Sequence, residues 1–161
     1  MTNRQFFLHR RKAELPAFLS VFRALDHERL DYTPHARSPS AAQIVWTLTS
    51  EQKACCELIG KGRTDWCPTP PKGLHEMIAD FERHDAHLIE AVAELDDEAW
   101  QRPAQFVVNG RVAIEQPLGD LMWFFFFDAI HHRGQLSTYI RPMGGQVPSI
   151  YGPSADSRSV G

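Results

Sequence analysis

The chain has no long hydrophobic run. Its longest apolar stretch, residues 121–127, falls far short of the roughly 20 residues a helix needs to span a bilayer. The N-terminal segment MTNRQFFLHRRKAELP has no apolar signal core. No membrane partner is expected. Cysteine is scarce: Cys55, Cys56 and Cys67 are the only three in 161 residues. An odd count at these spacings builds neither a disulfide framework nor a CxxC zinc knuckle, and two adjacent residues on a helix diverge. A reducing, cytoplasmic setting follows. Excess positive charge is missing too. Seventeen Lys and Arg stand against 20 Asp and Glu, a formal net charge of −3. The one basic cluster, Arg10-Arg11-Lys12, spreads over different helix faces, so there is no basic stripe for nucleic acid. Internal repeats and low-complexity tracts are also lacking.

What remains is ordinary globular composition, 43% hydrophobic and 23% charged, in a length that fits one domain with a real core, residues 1–161. Apolar spacing at three- and four-residue steps predicts four long helices. The first covers Asn3 to Leu25, with Phe7, Leu15, Phe18, Phe22 and Leu25 on one face and Pro16 as a site for a kink. A connection with Pro34 and Pro39 follows. The second helix starts at Ser40 as N-cap and ends at Gly60. KGRTDWCPTPPKG, residues 61–73, reads as loop from its Pro and Gly content. The third helix covers about Leu74 to Leu95, with His84 and Asp85 where an apolar residue is expected. Asn109-Gly110 between two β-rich runs signals a short hairpin or extended excursion around Phe106 to Glu115. The last helix runs from Pro117 or Leu118 to Met143, closed by Gly144-Gly145, with an irregular tail from about 145 to 161. The fold class is all-α: a four-helix bundle.

The segment FFFFDAIHHRGQL, residues 124–136, poses the chemical question. At about 100° per residue, Leu118, Leu121, Met122, Phe125, Asp128, Ala129, His132, Leu136 and Tyr139 share one side of the last helix. Asp128 and His132 then lie one turn apart on a core-facing surface, where i,i+4 side chains meet. A carboxylate and a neutral imidazole so placed can chelate Zn, Ni, Fe or Mn once another helix supplies a third ligand. The same spacing also suits an internal Asp–His pair without metal. The opposite side, with Trp123, Phe126, Phe127 and Ile130, is apolar and calls for a second neighbour: a second subunit or the folded-over excursion.

The stretch DAIHHRGQLSTYIRPMGG closely resembles the last helix of the DinB-like four-helix-bundle proteins. SAAQIVWTLTSEQ resembles their second helix, and ELDDEAW after the third helix also fits. The resemblance covers nearly the whole chain. It implies a DinB-like bundle of up-down-down-up type, often dimeric. It also implies a divalent metal held by three histidines, one on the second helix and two four residues apart on the last. Relatives of this kind include metal-dependent thiol S-transferases and a mycothiol-dependent isomerase. Carried over by position, the ligands fall at Thr47, Asp128 and His132, so one histidine is kept, one becomes a carboxylate and one a neutral hydroxyl. Glu51, one turn after Thr47, and His84 or Asp85 on the third helix are the candidates to complete the site. Arg11 and Glu14 either line the same cavity or form a surface salt bridge. Gln135 and Arg133 read as supporting or interface groups, Tyr139 as a pocket or packing residue, and His131 as pointing to another neighbour.

Two functions are in view. One is a metal-dependent enzyme, thiol S-transferase-like, working on a small-molecule thiol and an electrophile in a homodimer. The other is a metal-free dimeric binding or structural protein whose Thr47, Asp128 and His132 form a hydrogen-bonded network or take a small ligand. No nucleic-acid partner is expected.

Overall fold

The computed structural model describes residues 1–67 and 69–157. The first helix, α1 (Asn3–Arg23), opens on a capping box. Thr2 Oγ1 accepts from the Gln5 amide at 3.3 Å, and Gln5 Oε1 accepts from the Thr2 amide at 2.8 Å. Pro16 sits inside α1 without ending it. The second, α2 (Ala41–Lys61), repeats the device with Ser40 as N-cap and Gln43. It ends at Gly62 (φ +69°), not at the expected Gly60. The left-handed cap falls there because the Gly62 carbonyl accepts the Gln105 amide at 2.9 Å, which starts sheet pairing in the next residue.

That pairing corrects the loop expected over 61–73. Residues Arg63–Trp66 form β1, parallel to β2 (Pro103–Val108), which is antiparallel to β3 (Arg111–Pro117), in the order β1-β2-β3. The hairpin turn is as expected, with Asn109 at φ +51° and Gly110 at φ +74°. Without β1, the free edge of β2 would present unpaired backbone groups. The third long helix, α3 (Leu74–Glu94), is followed by a short α4 (Asp97–Gln101), capped by Asp96 accepting from the Ala99 amide at 2.7 Å. The last helix, α5 (Leu118–Ser137), stops before the expected Met143. Ser137 and Thr138 hydroxyls take the Gly134 and Gln135 carbonyls, each at 2.7 Å, and Pro142 has no amide to continue the ladder. Tyr139, Ile140 and Met143 remain buried in the turns that follow. Residues 145–157 hold no helix or strand, as expected of the tail, whose residues 158–161 lie outside the described part.

Helices α1 and α2 each pack on α3 and α5, and the sheet lies against α2 and α5. The core holds Phe7, Phe18, Phe22, Phe81, Phe125 and Phe126. Phe126 is therefore covered within the chain, by Phe7 and Trp123, whereas Phe124 and Phe127 stay exposed. No helix among the described residues is long and apolar enough to cross a membrane.

Charge also enters the core. Arg11 pairs with Asp85 at 2.6 Å and reaches Gln52; Arg133 pairs with Glu14 at 2.7 Å. All four charged residues are buried. The Tyr151 hydroxyl, from the C-terminal segment, joins Glu14 at 2.8 Å and Arg133 at 2.5 Å. Both guanidiniums lie over the Phe18 ring, at 5.6 and 4.7 Å. Arg11 and Glu14 are thus not a surface pair with each other, and Arg133 is an interior cross-link. Burial alone pushes the Glu14 carboxyl up, but hydrogen bonds from Arg133 and Tyr151 and the charges of Arg133 and Arg10 bring it below its ordinary value.

Two outcomes follow. A Cβ at Gly119 would overlap the buried Trp100 indole, so Gly119→Ala is expected to cost about 1–3 kcal/mol in urea denaturation. Glu14→Ala, which strands Arg133, is expected to cost about 3–5 kcal/mol near neutral pH. Because the folded carboxyl titrates below its unfolded value, Glu14 stabilises fully above the ordinary 4.5, and that contribution fades as pH falls through the folded pKa. The gap between wild type and Glu14→Gln should narrow on acidification in the same assay.

Candidate metal centre

Asp128 and His132 stand one turn apart on α5, with Asp128 Oδ2 and His132 Nε2 at 3.5 Å. Across from them, α2 brings in Glu51. One ligand atom from each of the three lies within 4.8 Å of the others. Among the described residues, this is the place where three such donors gather. Burial is graded across the group: Glu51 is 2% exposed, while the His132 and Asp128 side chains are 24% and 38% exposed. The pair on α5 thus sits at the edge of the core face, not in its middle. The buried stripe of α5 runs through Leu118, Met122, Phe125, Ala129, Arg133 and Leu136, and Asp128 and His132 flank it on the side toward α2.

The inner end of the site is electrostatically costly. Burial holds the Glu51 carboxyl well above the ordinary range, helped by a hydrogen bond with Asp128 and by the Asp128 charge; the Arg11 charge opposes this. When the carboxyl is ionised, Glu51 Oε2 is buried with no hydrogen-bond donor in reach among the described residues. An unpaired buried acceptor is rare in folded proteins because it forfeits its hydration. At the outer end, His132 Nδ1 lies 3.1 Å from Gln135 Oε1. A tautomer with the proton on Nδ1 would donate to that amide oxygen and leave the Nε2 lone pair for an ion between His132 and Asp128. An outer hydrogen bond of this kind orients metal-binding histidines. Two carboxylates and an imidazole nitrogen, with one side open, suit a divalent Mn, Fe, Zn or Ni ion. The unpartnered Oε2 is the observation that the residues fit such an ion.

The other sequence candidates lie elsewhere. Thr47, half-buried, lines a shallow groove with Gln43, Trp46 and the 36–39 segment; the α2 carboxylate that meets Asp128 and His132 is Glu51, one turn on. Asp85 is taken by Arg11. His84 lines a separate cavity between α2 and α3, where burial and the Arg83 charge keep its pKa below the usual value. The Tyr139 hydroxyl donates to the Pro39 carbonyl at 3.0 Å, so this residue ties the turns after α5 to the α1–α2 connection. His131 is exposed. Burial raises both thiols on α2, Cys55 strongly and Cys56 to about 11. Sequence reasoning missed the interior ion pairs. Their signal was present: Phe7, Arg11, Glu14 and Phe18 follow one another at helical spacing on the buried face of α1.

Comparison with known proteins adds the following. The DinB family model matches residues 1–158. A DinB-like protein, YjoA, of Bacillus subtilis has a TM-score of 0.71 at 16% identity, over 92% of this chain and 99% of that one. A DinB-like protein of Bacillus cereus gives 0.74 at 18% identity, over 90% and 95%. A mycothiol-dependent maleylpyruvate isomerase gives 0.51 at 15% identity, over 98% of this chain and 68% of its own. At these identities the likeness is one of fold. No curated protein matches the chain.

In chelator-treated protein, the raised Glu51 pKa has a definite sign. The folded state holds a proton that the unfolded state releases, so stability is full below the ordinary carboxylate value and falls as pH rises toward the folded pKa. Glu51→Gln removes this loss and should be the more stable protein near neutrality. Denaturation of both proteins at about pH 4 and about pH 8 checks it; a wild type that gains on the variant with rising pH contradicts it.

Proposed function

The chain belongs to the DinB family, and from that premise we propose a divalent-metal protein of the thiol-using enzyme kind, with the ion held by Glu51, Asp128 and His132. One observation carries the reading: these three donors converge around a buried carboxylate oxygen that, when ionised, meets no hydrogen-bond donor among the described residues. The fold shared with a mycothiol-dependent isomerase supports the thiol-using kind. In this reading Glu51 takes the part that position 47 would play in a three-histidine site, because the Thr47 hydroxyl is a weak donor to a divalent ion.

When bound, the ion supplies Lewis-acid chemistry that acidifies a thiol or water at its open side. The chain's own residues do the rest. Glu51 closes the site from the core and excludes water there. Asp128 and His132 leave the solvent side open to a small molecule, and Gln135 holds the His132 ring. Cys55 and Cys56 are poor nucleophiles at neutral pH, since burial keeps both protonated. The thiol and its electrophilic partner therefore come from solution. Three unpaired cysteines support a reducing, cytoplasmic setting. The exposed Phe127, stacked on Trp123 beside Phe6, supports a homodimer.

A second reading has its own observation. A protonated Glu51 hydrogen-bonds to Asp128 without any ion, which makes the cluster a polar network of a metal-free binding protein. Elemental analysis separates the two. Protein from metal-replete culture should carry about one divalent ion per chain, lost in both Asp128→Ala and Glu51→Ala and kept in Thr47→Ala. Gln135→Ala should weaken metal affinity by about 10- to 100-fold, read by competition with a chelating dye. Metal-free wild type in every preparation overturns the metal reading and leaves the network.

A further inference from the structure

A second face of helix α2 borders a cavity. At about 100° per residue, Trp46, Ser50, Lys53 and Glu57 line up together, roughly 130° around the helix from Glu51. They wall a cavity of about 360 Å³ between α2, α3 and β1, within the size range of small-molecule sites. Two indoles stand in its wall, Trp46 and Trp66. Both are held in place: Trp46 Nε1 donates to the Thr69 carbonyl at 2.5 Å, and Trp66 packs edge-on against Phe106 at 6.1 Å.

The charges around the cavity cancel. Lys72 and Arg83 both engage Asp80, at 3.0 and 2.7 Å. Lys53 lies 3.7 Å from Glu57, and Asp65 lies 3.4 Å from Arg63 outside the cavity. Three cations and three carboxylates in the lining leave no net field for either sign of ligand charge. A phosphate or carboxylate would have to break an existing pair to find a cation. An indole face accepts any π-surface; that of Trp46 also carries Lys72 Nζ at 5.7 Å, which a ring stacking there would displace, and Ser50 and His84 add uncharged polar groups to the lining. We propose that this cavity binds an uncharged planar aromatic or heteroaromatic molecule of one or two fused rings, stacked on Trp46 or Trp66 with its polar edge toward Ser50 and His84. The site is independent of the metal centre.

Adenine and indole serve as neutral probes, with adenosine monophosphate as the charged counterpart, in calorimetry and ligand-observed NMR. At least one neutral probe should saturate with a Kd of about 1 mM or tighter. Trp46→Leu or Trp66→Leu should weaken that binding about tenfold or more, and chelator should leave it unchanged. Should either variant fold poorly, Ser50→Leu fills the cavity with both indoles intact and should abolish binding. The proposal is overturned by no saturation by either neutral probe, by binding of the nucleotide more than about tenfold tighter than adenine, or by undiminished binding in Ser50→Leu. Loss of binding on chelation would also overturn it, by placing the probe at Glu51, Asp128 and His132.

Discussion

Charge inside this bundle is carried in pairs. Arg11 on α1 reaches Asp85 on α3, and Arg133 on α5 reaches Glu14 on α1. Each pair bridges two helices, and both guanidiniums share the Phe18 ring. Removing two charges from water costs several kcal/mol per ion, recovered only when geometry and hydrogen bonding are good. The contacts at 2.6 and 2.7 Å, with Gln52 and Tyr151 as further partners, meet that condition. They also tie α1 to both α3 and α5 from inside the core.

Against that background Glu51 is the exception. It is as buried as the paired residues and, like Asp85, has an oxygen without a hydrogen-bond partner among the described residues, but it forms no ion pair with a cation there, and the charge that acts on it most strongly is the Asp128 carboxylate. A bundle that pairs its interior charges elsewhere but gathers two carboxylates and an imidazole here holds a site suited to a cation. The exposure gradient from Glu51 to Asp128 gives that cluster a closed inner wall and an open mouth.

The small sheet gives α2 a second neighbour. With β1 added to the β2–β3 hairpin, Trp66 is carried to the side of α2 that faces away from Glu51, and a cavity forms there with Trp46. One helix thus presents two different surfaces: an anionic one toward α5, and an aromatic, charge-balanced one toward α3.

Much of this was legible in the residues. The four long helices, the capping serine at position 40, the Asn109-Gly110 turn and the one-turn pairing of Asp128 with His132 are local properties. They depend on propensity, spacing and the φ values a residue tolerates, which the sequence alone determines. The strand Arg63–Trp66 was hidden, because a four-residue parallel strand has no local signature and exists only through a partner some 40 residues away. The choice of Glu51 over His84 or Asp85 as the third group of the site was likewise decided by tertiary structure. All three occupy inward-tending helix positions. Only packing sends Asp85 to Arg11, turns His84 to a different cavity and leaves Glu51 facing α5. Periodicity tells which face of a helix is inside; it does not tell which neighbour that face will meet.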